Sequence, residues 1–251
     1  GAESGRGVLG RFNGKTISLE EVHRFPNGPV KMLDTLYWDL PRLHAEIKIA
    51  IGKAVATSGS SGGLSALGVD TWGVDFGLVG KGDTLLGNPV HYRDARTNGM
   101  VDAAEALIAR RRIYERTGLQ FLPFNTVFQL LSLKQAGSPL LEAAETLLMM
   151  PDLFGWLLTG RRGCERTNAT TTQLYDPRAG DWSDELCQGL DLPRRILPEF
   201  IEPGTELGPL RGSVVEELGL ASSPMVIAPA THDTASAVAA VPARGSRPGH
   251  E

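Results

Sequence analysis

The amino-acid sequence predicts an α/β domain whose mixed β-sheet is flanked by helices. Three features carry this: two early β-like runs joined by Asn13-Gly14, two apolar β-branched runs at 64–69 and 74–79, and later stretches of helical apolar spacing. Gly7 to Phe12 alternates as a strand does. Asn13-Gly14 predicts a tight hairpin turn with φ positive at both residues, and Thr16 to Phe25 is the returning strand. Asp39 to Thr57 has helical spacing, with Leu43, Ile47, Ala50 and Ile51 on one face. Gly59 to Gly63 reads as a flexible connection, and Gly80-Lys-Gly-Asp83 as a turn. Helices are expected near 99–116, 125–136, 140–159, 183–189 and 214–218, and a buried strand from Met225 to Ala230, with a small-residue helix directly after Asp233.

A chain of 251 residues is long enough for one large domain or two small ones. No stretch approaches the ~18 unbroken apolar residues of a membrane span, and the polar opening GAESGRG does not read as a signal peptide. Net charge is −4 with scattered basic residues, which offers nothing to a nucleic acid. The densest basic run, Arg110-Arg111-Arg112, reads as a solvated helix face. Two cysteines, Cys164 and Cys187, are too few for a disulfide framework, and a reducing cytoplasm is the expectation. Both ends of the chain read as cuts through a longer protein, and no internal repeat is visible.

Several common signatures fail. A G-x-x-x-x-G-K-[ST] phosphate loop ending at Gly80-Lys81 would need glycine where Asp75 stands, and Lys81 is followed by Gly82. Gly80-Lys-Gly82 does not open a G-x-G-x-x-G, because Leu85 stands where the third glycine is needed, and the five histidines lack metal-ligand spacing.

Five segments remain as candidates. Gly1 to Arg6 (GAESGR) can turn its N–H groups inward as an anion nest just before a strand, or form an ordinary β-turn. Asp70-Thr-Trp-Gly-Val-Asp-Phe76 offers an aromatic wall and two carboxylates to a polyol, or only joins two strands around a core Trp72. His91 to Thr97 (HYRDART) interleaves charge and aromaticity, with a surface salt-bridge network as its plain reading. Asn168 to Gln173 is rich in hydroxyls, with a capped loop as the alternative. Thr231-His-Asp-Thr234 places a carboxylate at the seam of a strand and a helix. There Asp233 can be the helix N-cap, a base accepting a proton from a substrate hydroxyl, or both. Asp70 and Asp75 as a glycosidase pair fit poorly, because five residues apart on a strand puts them on opposite faces.

Taken together, VDTWGVDFG, PVHYRDARTNGM, TGLQFLPFNTVFQL, MPDLFGWLLTG, TNATTTQL and ATHDTASAV resemble, in the same order, segments of the FGGY carbohydrate kinase family. The likeness runs along nearly the whole chain and is weakest at 176–222. It implies an actin-like, RNase H-like domain, the first of two, with residues 1–243 as the sugar-binding domain and 244–251 starting the connection to a C-terminal nucleotide-binding domain. The implied reaction moves the γ-phosphoryl group of ATP, with Mg²⁺, to the C1 hydroxyl of the ketose L-rhamnulose. Ala2, Glu3, Ser4, Gly5 and Arg6 would then meet the ATP phosphates, Gly73, His232, Asp233 and Thr234 the sugar, and Asp233 would accept the proton. The family's Asp-x-Gly opening is represented only by Gly1, so the aspartate that helps place Mg²⁺ lies outside this chain. On this reading the 251 residues alone are inactive. Kinases of fuculose or xylulose type, and a non-catalytic actin-like sugar-binding module, are the rivals; retention of Asp233 argues against the latter.

Overall fold

A computed structural model describes residues 1–59 and 63–242. The middle of the expected Gly59–Gly63 connection and the expected connection at 244–251 lie outside the described residues. Strand β1 (Ser4–Phe12) pairs antiparallel with β2 (Ile17–Pro26), from Ser4–Pro26 to Phe12–Ile17, with a register shift between Gly7 and Val8. Their loop differs from the expected turn, since only Gly14 has positive φ (90°). The Asn13 side chain closes the loop instead, its Oδ1 accepting the N–H groups of Lys15 and Thr16. A second hairpin not read from the sequence follows, β3 (Pro29–Met32) and β4 (Thr35–Trp38).

Helix α1 (Leu40–Ser58) is capped by Asp39, which accepts the Arg42 N–H at 3.1 Å, and ends at Gly59 with φ of 66°. The apolar run after it shortens to β5 (Ala66–Leu67), and the next to β6 (Phe76–Gly80), which pairs with β7 (Thr84–Leu85). The helix expected at 99–116 is two, α2 (Met100–Leu107) and α3 (Arg110–Thr117). Ile108 between them is extended and packs on Gly189, where a Cβ would stand 2.4 Å from its Cδ1. The basic run on α3 is a solvated, ion-paired face: Arg110 meets Glu105, Arg111 meets Glu115, and Arg112 meets Glu185.

After α4 (Thr126–Gln135), the expected helix 140–159 is α5 (Pro139–Ala143), strand β8 (Thr146–Met149) and α6 (Met150–Thr159). Strand β8 is buried along its whole length and pairs antiparallel with β6. A strand covered on both faces shows no alternation, so its apolar run looked like helix. Short elements follow: β9 (Cys164–Glu165), α7 (Arg166–Ala169), β10 (Tyr175–Asp176), β11 (Asp181–Trp182), α8 (Asp184–Gly189) and β12 (Phe200–Ile201). The described chain closes with β13 (Glu206–Pro209), α9 (Gly212–Glu217), β14 (Met225–Ile227) and α10 (Asp233–Ala239).

The β-structure is thus divided into several small sheets rather than one. Mixed pairing survives in β13-β14-β5, where β14 runs parallel to β5 and antiparallel to β13. Three apolar clusters hold the layers. One gathers α4, β8 and the 164–197 region around Phe128 and Leu147; a second gathers Trp38, Leu43, Trp72 and Leu153; the third joins α1 to β14 through Ile51, Leu158, Val214 and Val226. Among the described residues no helix is long and apolar enough to cross a membrane.

Candidate active site

Parallel β5 and β14 bring two distant loops together beyond their carboxyl ends, the usual place for a ligand in an α/β sheet. Thr71 N–H donates to Thr231 O at 2.9 Å, and Asp233 N–H donates to Thr71 O at 2.8 Å. This isolated bridge fixes the Asp70–Trp72 corner against Thr231–Asp233. Asp233 is the first residue of α10 and not its N-cap, which is His232. Its Oδ1 accepts the Thr234 N–H at 2.8 Å. Its Oδ2 faces Gly1, three residues ahead of β1, where an added Cβ would stand 3.6 Å away.

A cleft of about 1160 Å³ runs along this junction, walled by Gly1 to Arg6, by Asp70, Thr71 and Trp72, and by Asp233. The structure therefore gathers the expected phosphate segment (Ala2, Glu3, Ser4, Gly5 and Arg6) and Asp233 around one opening. Ser4 to Arg6 are strand rather than a turn before one, so they do not form a nest; Gly5 is required because a Cβ there would enter the Phe25 ring, 2.0 Å from Cζ. Gly73, His232 and Thr234 are not wall residues of the cleft. Gly73 is packed on Thr171, whose Cγ2 would lie 2.7 Å from an added Cβ and whose Oγ1 accepts the Val74 N–H. His232 places Nε2 3.8 Å from Asp233 Oδ1, and burial lowers its pKa against the pull of Asp233 and Glu165, leaving it neutral at pH 7.

Asp75 does not share the cleft with Asp70. It is fully buried, with Oδ2 accepting from Trp38 Nε1 (2.6 Å), Trp72 Nε1 (3.1 Å) and Tyr92 N–H (3.2 Å), and Oδ1 from Gln129 Nε2 (2.9 Å). Burial lifts its pKa to about 6, and these donors limit the rise. A glycosidase pair is excluded by this burial, since Asp75 cannot reach a substrate. The His91–Thr97 segment is not a surface salt-bridge network: His91, Asp94 and Thr97 are buried, and only Arg93 and Ala95 are exposed. His91 is buried between Trp38 and Tyr92, at ring distances of 4.1 and 4.5 Å, and burial pushes its pKa down to about 4. Arg96 reaches Gln129 Oε1 at 2.6 Å, tying the segment to Asp75. Tyr92 and Trp72 of this stack face the cleft and supply its aromatic wall.

Two buried acids escaped the sequence reading. Asp152 on α6 accepts the Glu165 N–H at 3.1 Å, and burial, with Glu165 adding repulsion, raises its pKa to about 8. The only sequence signal for Glu165 was an acid just ahead of the hydroxyl-rich 167–173 run. The folded state thus keeps a proton on Asp152 that the unfolded chain releases above its ordinary range near 4. The stability this gives is fully present below that range and is lost as pH rises towards 8, at about 1.4 kcal/mol per pH unit. Asp152→Asn carries no such proton, so the melting temperature of the variant relative to the parent should climb from pH 5 to pH 8. Parallel curves in thermal melts would show that Asp152 titrates normally.

Among the described residues no group of three His, Cys, Asp or Glu side chains could hold a metal ion, so no magnesium ligand is assigned. The fold is of the actin-like, RNase H-like class, and the carboxylate at the start of α10 lies beside Gly1 on the wall of the cleft. The chain belongs to the FGGY family of carbohydrate kinases, whose N-terminal domain matches residues 1–240. It is similar to a rhamnulokinase of Oceanobacillus iheyensis, 41% identical over 242 residues covering 96% of this chain and 50% of the relative. A rhamnulokinase of Bacteroides thetaiotaomicron is 42% identical over 243 residues, covering 97% of this chain and 49% of the relative. The chain thus spans about half the length of the curated relatives it matches. The xylulose kinase structure from Rhodospirillum rubrum shares the fold, with TM-score 0.81 and 18% identity, over 95% of this chain and 50% of that one.

Proposed function

We propose that this chain is the sugar-binding half of an ATP-dependent kinase that phosphorylates L-rhamnulose on its C1 hydroxyl, giving L-rhamnulose 1-phosphate. The observation that carries the reading is the meeting of Asp233 Oδ2 with Gly1, just ahead of β1, on the wall of one cleft. A sugar hydroxyl lying between them would face the carboxylate on one side and the phosphate-side hairpin on the other. Asp233 accepts the hydroxyl proton as the sugar oxygen bonds the γ-phosphorus and the bond to the β-phosphate oxygen breaks, releasing ADP. Backbone of Ala2 to Arg6 orients the phosphates, Trp72 and Tyr92 shield the site from water, and His232 and Thr234 flank the base. Magnesium ion, when bound with ATP, neutralises phosphate charge. The curated rhamnulokinases support the choice of ketose. Two buried free thiols accord with a reducing, cytoplasmic setting.

Phosphoryl transfer depends on positioning, so the nucleotide contacts of a second domain are needed for turnover. A coupled ADP-release assay with L-rhamnulose, L-fuculose and D-xylulose tests both parts. The full-length protein should show its highest kcat/KM with L-rhamnulose, and residues 1–251 alone no turnover. A preference for either other ketose would replace the substrate, and robust turnover by the short chain would overturn the two-domain reading.

A further inference from the structure

Glu165 is fully buried, yet its carboxylate spends its acceptor capacity on the segment that leads into Asp233. Oε2 accepts the Thr231 N–H at 2.9 Å and the Thr231 hydroxyl at 2.8 Å, and it also accepts the Thr167 hydroxyl. Oε1 accepts the Thr167 N–H at 2.9 Å. Thr167 Oγ1 in turn accepts the His232 N–H at 3.2 Å. Residues 229–231 belong to no helix or strand, so the path of the backbone into Asp233 is set largely by its neighbours. One side is set by Thr71, through the bridge already described. The other side is set by Glu165, directly at Thr231 and through Thr167 at His232.

We propose that Glu165 is a positioning residue for the transfer step: its buried carboxylate anchors Thr231 and Thr167 and so fixes where Asp233 stands. This rests on Asp233 being the proton acceptor. The chemistry favours a carboxylate here, because four donors converge on two oxygens and an acceptor-only group satisfies them all. An amide replaces one acceptor by a donor and repels the donors on its side. The strand end then shifts, and a displacement of an ångström at the reacting centre costs about 10²-fold in rate.

The test is a double-mutant cycle in the full-length protein. Glu165→Gln should lower kcat about 10²-fold with KM for ATP unchanged. In an Asp233→Asn background the same change should cost almost nothing further, because a positioning residue has nothing left to position. An equal loss in both backgrounds would show that Glu165 only supports the fold, and an unchanged kcat in the single variant would also overturn the proposal. Should Glu165→Gln fail to fold, Thr231→Val removes one anchor at constant shape and runs the same cycle, with a smaller loss in the same direction expected. A near-normal kcat for Asp233→Asn alone would instead refute the base, and the proposal with it.

Discussion

Replacing Asp233 with asparagine in the full-length protein should lower kcat by about 10²–10⁴-fold, the usual cost of losing a general base. The substitution is structurally mild. Asp233 is about 40% exposed, and the asparagine amide oxygen can keep the bond from Thr234 N–H that Oδ1 now accepts. The backbone tie to Thr71 is untouched, since it uses the main-chain N–H of residue 233. Ketose affinity should change far less than the rate, because an amide oxygen still accepts from a hydroxyl but cannot take its proton. Parallel melts of the two proteins and a collapsed kcat make the expected pair of results. A kcat close to the parent value would leave Asp233 as only a helix-start residue.

Removing the Asp75 carboxylate should damage the fold more than any other single change near the site. Asp75→Ala strands three donors at once, two indole N–H groups and the Tyr92 amide, while Gln129 Nε2 keeps the Phe124 and Val74 carbonyls. Each orphaned group costs about 1–3 kcal/mol, so the total is several kcal/mol against a typical domain stability of about 5–15 kcal/mol. The chain should express poorly or melt far below the parent. Asp75→Asn, which keeps one acceptor oxygen, should fall between them. A melting temperature for Asp75→Ala within a few degrees of the parent would mean that the buried network contributes little.

Legibility followed the physics of each segment. Helix α1 could be read because one face is apolar, Asp39 caps it and Gly59 ends it; all three signals are local. Strand β8 could not, because burial on both faces erases periodicity, although Pro151 at the start of α6 marked a boundary inside the expected helix. The seam at Thr231–Thr234 stood out because a carboxylate and hydroxyls follow an apolar run at once. Asp75 looked like a site residue for the same reason, and only the structure shows its charge enclosed by Trp38, Trp72 and Gln129. Trp38 and Gln129 lie 37 and 54 positions from it along the chain, and no local pattern announces them. Glu165 was invisible for a similar reason: its role is defined by Thr231, 66 positions away.

The bridge between Thr71 and His232 also bears on how the protein is made. More than half the described chain separates its two halves, so neither loop can find its place from local sequence alone. Closing so long a loop is slow and entropically unfavourable until the intervening layers have packed. During synthesis, the first lobe would carry its hairpin and α1 well before the carboxylate of Asp233 had left the ribosome. Competence to receive a sugar would therefore be among the last properties acquired, and ligand binding would report on completed folding of the lobe rather than on the presence of its earlier parts.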